Sequence, residues 1–267
     1  MLAIKEHTRR LRRFALTCLH RRNIRFRAKV PIVSFTFDDF PRSALTIAGP
    51  ILEEHGARGT YYVAPHLKSV INQQGEHFHE EDLNALISAG HELGSHTYTH
   101  LSCRSVSLKD YKRDVIKANE FIRALTRRDA EVSFAYPFGH VTLTAKQSIG
   151  ALQSCCRGSY HGINSGTVDL NLLRANQLYS ESVDFCAIER LVWQNAKLQG
   201  WLIFYAHDVR LKPSPFGCTV SLFTRVVNCA TKNGMRILTI SEALEAIDGG
   251  RERKKVLQEC PANKVGV

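Results

Sequence analysis

No hydrophobic run in this 267-residue sequence approaches the length of a membrane-spanning helix. The apolar stretch from Phe14 to Leu19 is broken in character by Thr17 and Cys18 and is shorter than the core of a secretory signal, so export is not expected. The eight cysteines, Cys18, Cys103, Cys155, Cys156, Cys186, Cys218, Cys229 and Cys260, contain no C-x-x-C pair and do not read as a disulfide framework. Free thiols without an export signal lead us to expect a cytoplasmic protein. Internal repeats and low-complexity tracts are also lacking.

Acidic residues are scarce in one place only. Residues 1–29 hold ten Lys or Arg against the single acid Glu6, whereas the rest of the chain has 26 basic and 24 acidic side chains. The net charge of +11 therefore belongs mostly to the N-terminus. The nearly neutral remainder resembles an enzyme surface, and no nucleic-acid partner is expected. Ile4, Thr8, Leu11, Ala15 and Cys18 fall near one helical face of the basic segment. It reads as a solvated helical arm, with peripheral contact to anionic lipid as the sharper alternative.

With 44% hydrophobic and 23% charged residues, the chain can build one large α/β domain. From Val30 onward, short apolar runs alternate with helix-period segments, as in βα units around a parallel sheet. Strands are expected at Ile32 to Phe37, Gly59 to Ala64, Glu92 to Ser95, Val132 to Tyr136, Ala151 to Cys155, Arg174 to Leu178, Trp201 to Ala206 and Arg236 to Ile240. Helices are expected at Ser43 to His55, ended by Gly56, and at Glu80 to Ala89, ended by Gly90. Ser107 and Asp110 form a capping-box pattern opening a third helix to about Thr126, with Tyr111, Val115, Ala118, Ile122 and Leu125 on one face. Three more are expected at Val183 to Leu198, Val220 to Lys232 and Ser241 to Ile247.

Several reactive side chains sit where these strands end. Asp38 and Asp39 follow the first, His96 and His100 the third, the turn Pro137-Phe138-Gly139 the fourth, and His207 the seventh. Two imidazoles and one carboxylate make the ligand set of a catalytic zinc with an open position. If Asp39 is the third ligand, Asp38 is left beside it as a base. Each piece alone has a plainer reading: an Asp pair can cap a turn, and histidines four apart can be exposed helix residues. Four strands aiming such groups at one rim favours a βα barrel, whose catalytic groups gather at the C-terminal ends of its strands.

On these residues the chain resembles the polysaccharide deacetylases of carbohydrate esterase family 4, which include the nodulation chitooligosaccharide deacetylases, over roughly Val30 to Ile247. Thr36-Phe37-Asp38-Asp39 matches the family's T-F-D-D motif and His96 to His100 its H-[ST]-x-x-H motif. Tyr136-Pro137-Phe138-Gly139 approximates its P-Y-G turn, and Phe204 to Asp208 matches its apolar strand ending in histidine. The resemblance implies a distorted (β/α) barrel of seven or eight strands, with a basic arm at 1–29, a catalytic domain at 30–250 and a polar tail at 251–267. It also implies a divalent metal, zinc as first choice, held by Asp39, His96 and His100. Asp38 would be the general base, His207 the general acid and the backbone NH of Phe138 the oxyanion donor. Many members have an arginine at the position of Ala135 that pairs with the catalytic aspartate. Arg174, at the head of the sixth run, could supply that cation from another strand, with a surface ion pair as the plainer alternative. The implied reaction removes N-acetyl groups from an amino sugar oligosaccharide or polysaccharide. O-acetylated or peptidoglycan sugars and a non-catalytic carbohydrate-binding role are the alternatives.

Overall fold

The computed structural model describes residues 13–26, 28–127 and 131–247. Seven of the eight expected strands are present in it and the fifth lies just beyond its expected place: β1 (Ile32–Asp38), β2 (Thr60–Val63), β3 (Glu92–Ser95), β4 (Phe134–Ala135), β5 (Cys156–Arg157), β6 (Asn176–Gln177), β7 (Trp201–Ala206) and β8 (Arg236–Ile237). They form one parallel sheet in the order β6-β7-β1-β2-β3-β4-β5. β8 pairs with the first residues of β1, below the part of the same edge that pairs with β2. A parallel bridge from Arg157 to Leu173 ties β5 to the segment that leads into β6, so the sheet curls back on itself as a distorted barrel.

The two long strands are buried along their whole length. This follows from the parallel arrangement, in which helices cover the outer face and side chains fill the inner one. Along β1 the pleat sends Val33, Phe35 and Phe37 outward, where Phe35 meets Phe204 of β7 and Phe223 with ring centroids 5.8 and 5.3 Å apart. Ser34, Thr36 and Asp38 alternate with them. Ser34 Oγ accepts a hydrogen bond from Trp201 Nε1 at 2.9 Å, and Thr36 Oγ1 donates to the Phe204 carbonyl at 2.9 Å. The polar row ends at Asp38, the last residue of the strand.

The helices are α1 (Gly49–Glu54), α2 (Glu80–Ser88), α3 (Leu108–Thr126), α4 (Leu143–Gly150), α5 (Phe185–Leu198), α6 (Val220–Lys232) and α7 (Ile240–Ile247). Five wide-turn residues, Ala44–Ala48, precede α1. Ser107 caps α3 as expected, accepting from the Asp110 amide at 3.2 Å and donating to the Asp110 carboxylate at 2.7 Å. α4 was not expected from the sequence. Its Thr142 cap accepts from the Ala145 amide, and it buries Ala145 and Ile149. Because α4 runs to Gly150 and a turn follows, the fifth strand starts at Cys156 and not within Ala151 to Cys155.

Part of the expected N-terminal arm lies among the described residues. The expected arm ends at residue 29, and from residue 13 onward the described part of it is packed on the barrel. Residues 13–18 are helical, with Leu16 buried and Cys18 exposed. Buried Lys146 of α4 donates to the Leu16 and Leu19 carbonyls, both at 2.7 Å, and pairs with Asp169 at 2.6 Å. Arg22 donates to the carbonyls of Gln153 and Ser154, and Asn23–Arg25 pairs antiparallel with Thr167–Asp169. Ile4, Thr8 and Leu11, and the tail 251–267, lie outside the described residues. Among the described residues no helix is long and apolar enough to cross a membrane.

Candidate active site

Asp38 and Asp39 reach one cavity because the chain turns sharply after β1. Asp39 and Phe40 both adopt positive φ, 63° and 54°, so the second carboxylate does not swing to the opposite face as a continuing strand would require. Thr97, His100 and Phe138 also have positive φ. Left-handed backbone at non-glycine residues costs energy and gathers at functional sites. Here the loop after β3 is pinned by Asp114 of α3, whose carboxylate accepts from the amides of Tyr98 at 2.8 Å and Thr99 at 3.0 Å. That loop carries His96 and His100.

His96 is buried, and its Nδ1 donates to the Ala135 carbonyl at 2.8 Å, leaving the Nε2 lone pair facing Asp39. Burial, the largest influence, pushes the His96 pKa down to about 4, so the ring is neutral. Asp39 Oδ1 lies 3.1 Å from His100 Nε2 and 3.6 Å from His96 Nε2. It is buried and makes no hydrogen bond. The other oxygen, Oδ2, accepts from Gln74 Nε2 at 3.2 Å. Burial raises the Asp39 pKa, but His100, His96 and His207 more than offset it and the net shift is downward. The three ligand atoms all lie within 4.8 Å of one another. An orphaned carboxylate oxygen facing two imidazole nitrogens is a donor set that fits a divalent cation.

Beside this cluster, Asp38 Oδ1 accepts a short hydrogen bond from the guanidinium of Arg157, at the end of β5. Arg157 is itself buried, its Cζ 5.0 Å from the ring centroids of both Tyr62 and Tyr205, and it donates to the Gly158 carbonyl at 3.0 Å. Burial raises the Asp38 pKa, but Arg157, His96 and His207 together bring it below the ordinary carboxylate value. Arg157 therefore holds the place expected for Arg174. Arg174 lies just before β6, exposed, with its guanidinium on the His161 carbonyl at 3.1 Å. Its side chain runs along Gly162, where an added Cβ would stand 3.1 Å from it, and it is not among the residues lining the cavity over Asp38 and Asp39.

The cavity over these groups holds about 440 Å³ and includes His207, Phe138, Tyr179, Tyr205 and Phe216. His207 Nδ1 donates to the Phe216 carbonyl at 3.1 Å, which turns Nε2 inward, 3.8 Å from Asp39 Oδ2. The Phe138 ring is 63% exposed, with its centroid 4.5 Å from that of His100. Phe138 thus stands at the mouth of the cavity. The structure brings together Asp38, Asp39, His96, His100, Phe138 and His207, as the sequence spacing suggested. Arg157, Gln74, Tyr179, Tyr205 and Phe216 were not foreseen.

The sequence model for polysaccharide deacetylases matches residues 27–154. The matched part, just under half of the chain, is that of a polysaccharide deacetylase and carries Asp38, Asp39, His96, His100 and Phe138. No match was found among curated proteins. Among solved structures, the chain resembles the Xyl-CE4 domain of a multidomain xylanase from the hindgut metagenome of Trinervitermes trinervoides. That match has 17% identity and a TM-score of 0.52, and covers 81% of this chain and 91% of that one. It also resembles the Bc1960 peptidoglycan N-acetylglucosamine deacetylase, at 16% identity and TM-score 0.56 over 82% and 91% of the two chains. A third relative is the BA3943 pseudoenzyme of this family from Bacillus anthracis, at 15% identity and TM-score 0.56 over 83% and 68%.

At such low identity these structures establish the deacetylase fold and not the chemistry. The family match ends before Arg157 and His207, so the placing of those two residues rests on the geometry of this chain alone.

Proposed function

We propose that this protein is a metal-dependent hydrolase that removes N-acetyl groups from an amino sugar oligomer. The observation that carries the reading is Asp39 Oδ1, buried without a hydrogen bond between His96 and His100, with the Asp38–Arg157 pair beside it. Asp39, His96 and His100 would hold the metal, with zinc favoured by two imidazoles and a carboxylate. A divalent cation bound there would polarise the acetyl carbonyl and ease ionisation of the attacking water.

The chain's own groups supply the rest. Asp38, kept ionised by Arg157, takes the proton of the attacking water. His207 gives the proton from Nε2 to the leaving amine nitrogen, while the Phe216 carbonyl fixes its ring through Nδ1. The backbone NH of Phe138 would stabilise the oxyanion, a role that tolerates phenylalanine where relatives have tyrosine. Tyr62 and Tyr205 wall in Arg157 and keep water from its charge.

A non-catalytic carbohydrate binder was made plausible by Ala135, where many relatives have arginine. Arg157 supports the enzymatic reading instead, because a binder has no need to hold a buried base ionised. Chitooligosaccharides come first as candidate substrates, and peptidoglycan-derived or O-acetylated sugars second. The test is acetate release from short N-acetylglucosamine oligomers, with and without chelator and added zinc, beside Asp38→Asn. Metal-dependent release that disappears in Asp38→Asn supports the reading. A folded, zinc-loaded protein that releases acetate from none of the three sugar classes removes it.

A further inference from the structure

The two-strand hairpin Ile71–Asn72 and Gly75–Glu76 has no part in the scheme above, yet its turn residue Gln74 reaches the ligand cluster. Gln74 is buried and donates from Nε2 to Asp39 Oδ2 at 3.2 Å. Its Oε1 accepts at 3.1 Å from Nε2 of His77, a fully buried ring whose Nδ1 lies 3.0 Å from the Val70 carbonyl. The two oxygens of Asp39 are thus divided, with Oδ2 taken by the hairpin and Oδ1 turned to His96 and His100.

The hairpin is fixed from its other side as well. Arg210 donates to the Gln73 carbonyl at 2.7 Å and to Asp208 Oδ2 at 2.7 Å, and Asp208 directly follows His207. Gly75 has φ +100°, and an added Cβ there would lie 3.1 Å from the Arg210 guanidinium. The hairpin is therefore tied to the chain beyond β1 through Gln74 and to the chain beyond β7 through Arg210.

We propose that Gln74 is a positioning residue for the ligand cluster: it holds Asp39 as a one-oxygen ligand, and His77 acts through Gln74 by fixing its amide. A carboxylate without such a partner rotates freely about its last bond and can offer both oxygens or neither to a cation. Partners that orient a metal ligand are commonly worth about 10–100-fold in metal affinity. The proposal rests on the metal-binding reading of Asp39, His96 and His100.

The test uses the full chain and two measurements other than turnover. Zinc affinity is read by competition with a chromophoric chelator, and coordination geometry by the visible spectrum of the cobalt(II) form. Gln74→Leu should weaken zinc binding by about 10–100-fold and alter the cobalt spectrum. His77→Phe should shift both in the same direction, and the double variant should be no weaker than Gln74→Leu, because the two residues act in series. Circular dichroism in chelator checks folding, and Gln74→Met removes the same donor on a more adaptable side chain should leucine not be accommodated. A folded Gln74 variant with wild-type zinc affinity and an unaltered cobalt spectrum overturns the proposal. Wild-type protein that binds neither ion overturns the metal reading itself, a failure visible before any variant is made.

Discussion

Arg157 and Asp38 stand 119 positions apart in the chain and share a short hydrogen bond in the lining of the candidate-site cavity. Both are buried, so each is the other's compensation for lost water. The pair joins β5 to β1 across the barrel interior, between the rings of Tyr62 and Tyr205.

Removing the guanidinium should have two separable effects. Arg157→Leu leaves a buried carboxylate without its cation, which should cost about 3–5 kcal/mol in urea denaturation at neutral pH. Burial is the largest influence on Asp38 and acts to raise its pKa, so without Arg157 the carboxyl should hold its proton to higher pH. The acidic limb of the pH–rate profile should then move toward neutrality, and Arg157→Lys should move it less. Arg174→Ala should leave that limb in place, since Arg174 faces the His161 carbonyl and not Asp38.

Residues 13–26 of the basic N-terminus should contribute to stability. Deleting residues 1–12 leaves Leu16, the helical turn, Arg22 and the Asn23–Arg25 pairing untouched. Deleting residues 1–29 strips two carbonyl partners from the buried Lys146 ammonium, and hydrogen bonds to a charged group are worth about 1.5–3 kcal/mol each. The longer deletion should lower the melting temperature sharply relative to the shorter one, or fail to fold. Equal melting of both would mean that the packing of residues 13–26 contributes nothing to stability.

Stability should also fall in mild acid through His91, well away from the ligand cluster. Its Nδ1 accepts from the Gly59 amide at 3.0 Å and its Nε2 lies 3.0 Å from Glu53 Oε1, so the ring is neutral with its proton on Nε2. Burial lowers its pKa below the ordinary 6.5, with Glu53 only partly opposing. In the unfolded chain the ring takes up a proton near that ordinary value; in the folded chain it does so only at lower pH. The neutral ring's contribution is therefore complete above about pH 6.5 and is lost progressively as pH falls toward the folded value. Urea denaturation of wild type and His91→Gln between pH 8 and pH 5 should show a shallower loss in the variant, because the glutamine has no proton to gain.

The strands that sequence reading located best are those with long apolar runs. Ile32–Asp38 and Trp201–Ala206 are buried from end to end, and burial on both faces leaves an unbroken hydrophobic signature. β4, β5 and β6 are two residues each, too short for any period to be read. That brevity is why Arg157 was missed. Reading Ala151 to Cys155 as the fifth strand left Arg157 in a following loop, whereas a strand at Cys156–Arg157 aims it inward. The clue was a lone cation set among Cys155, Cys156 and Gly158, where a solvated charge would be out of character. Gln74 had a weaker clue, since only the turn residue Gly75 marked the hairpin. Asp39 and His96 were legible because each directly follows a strand, and His100 because four residues of one loop bring it back beside His96.

His207 offers the sharpest test of the catalytic assignment, because its proposed task depends on the leaving group and not on the sugar. An amine expelled from an amide departs poorly as an anion, so losing the proton donor in His207→Gln should cut N-deacetylation about 10²–10⁴-fold. A nitrophenyl ester expels a stable phenolate that needs no proton, and His207→Gln should hydrolyse nitrophenyl acetate at close to the wild-type rate. Asp38→Asn should lose both activities, since the attacking water must be deprotonated whichever group departs. Equal losses on amide and ester in His207→Gln would place that imidazole in binding or in the ligand cluster, which it approaches at 3.8 Å from Asp39 Oδ2, and would leave the proton for the amine to another donor.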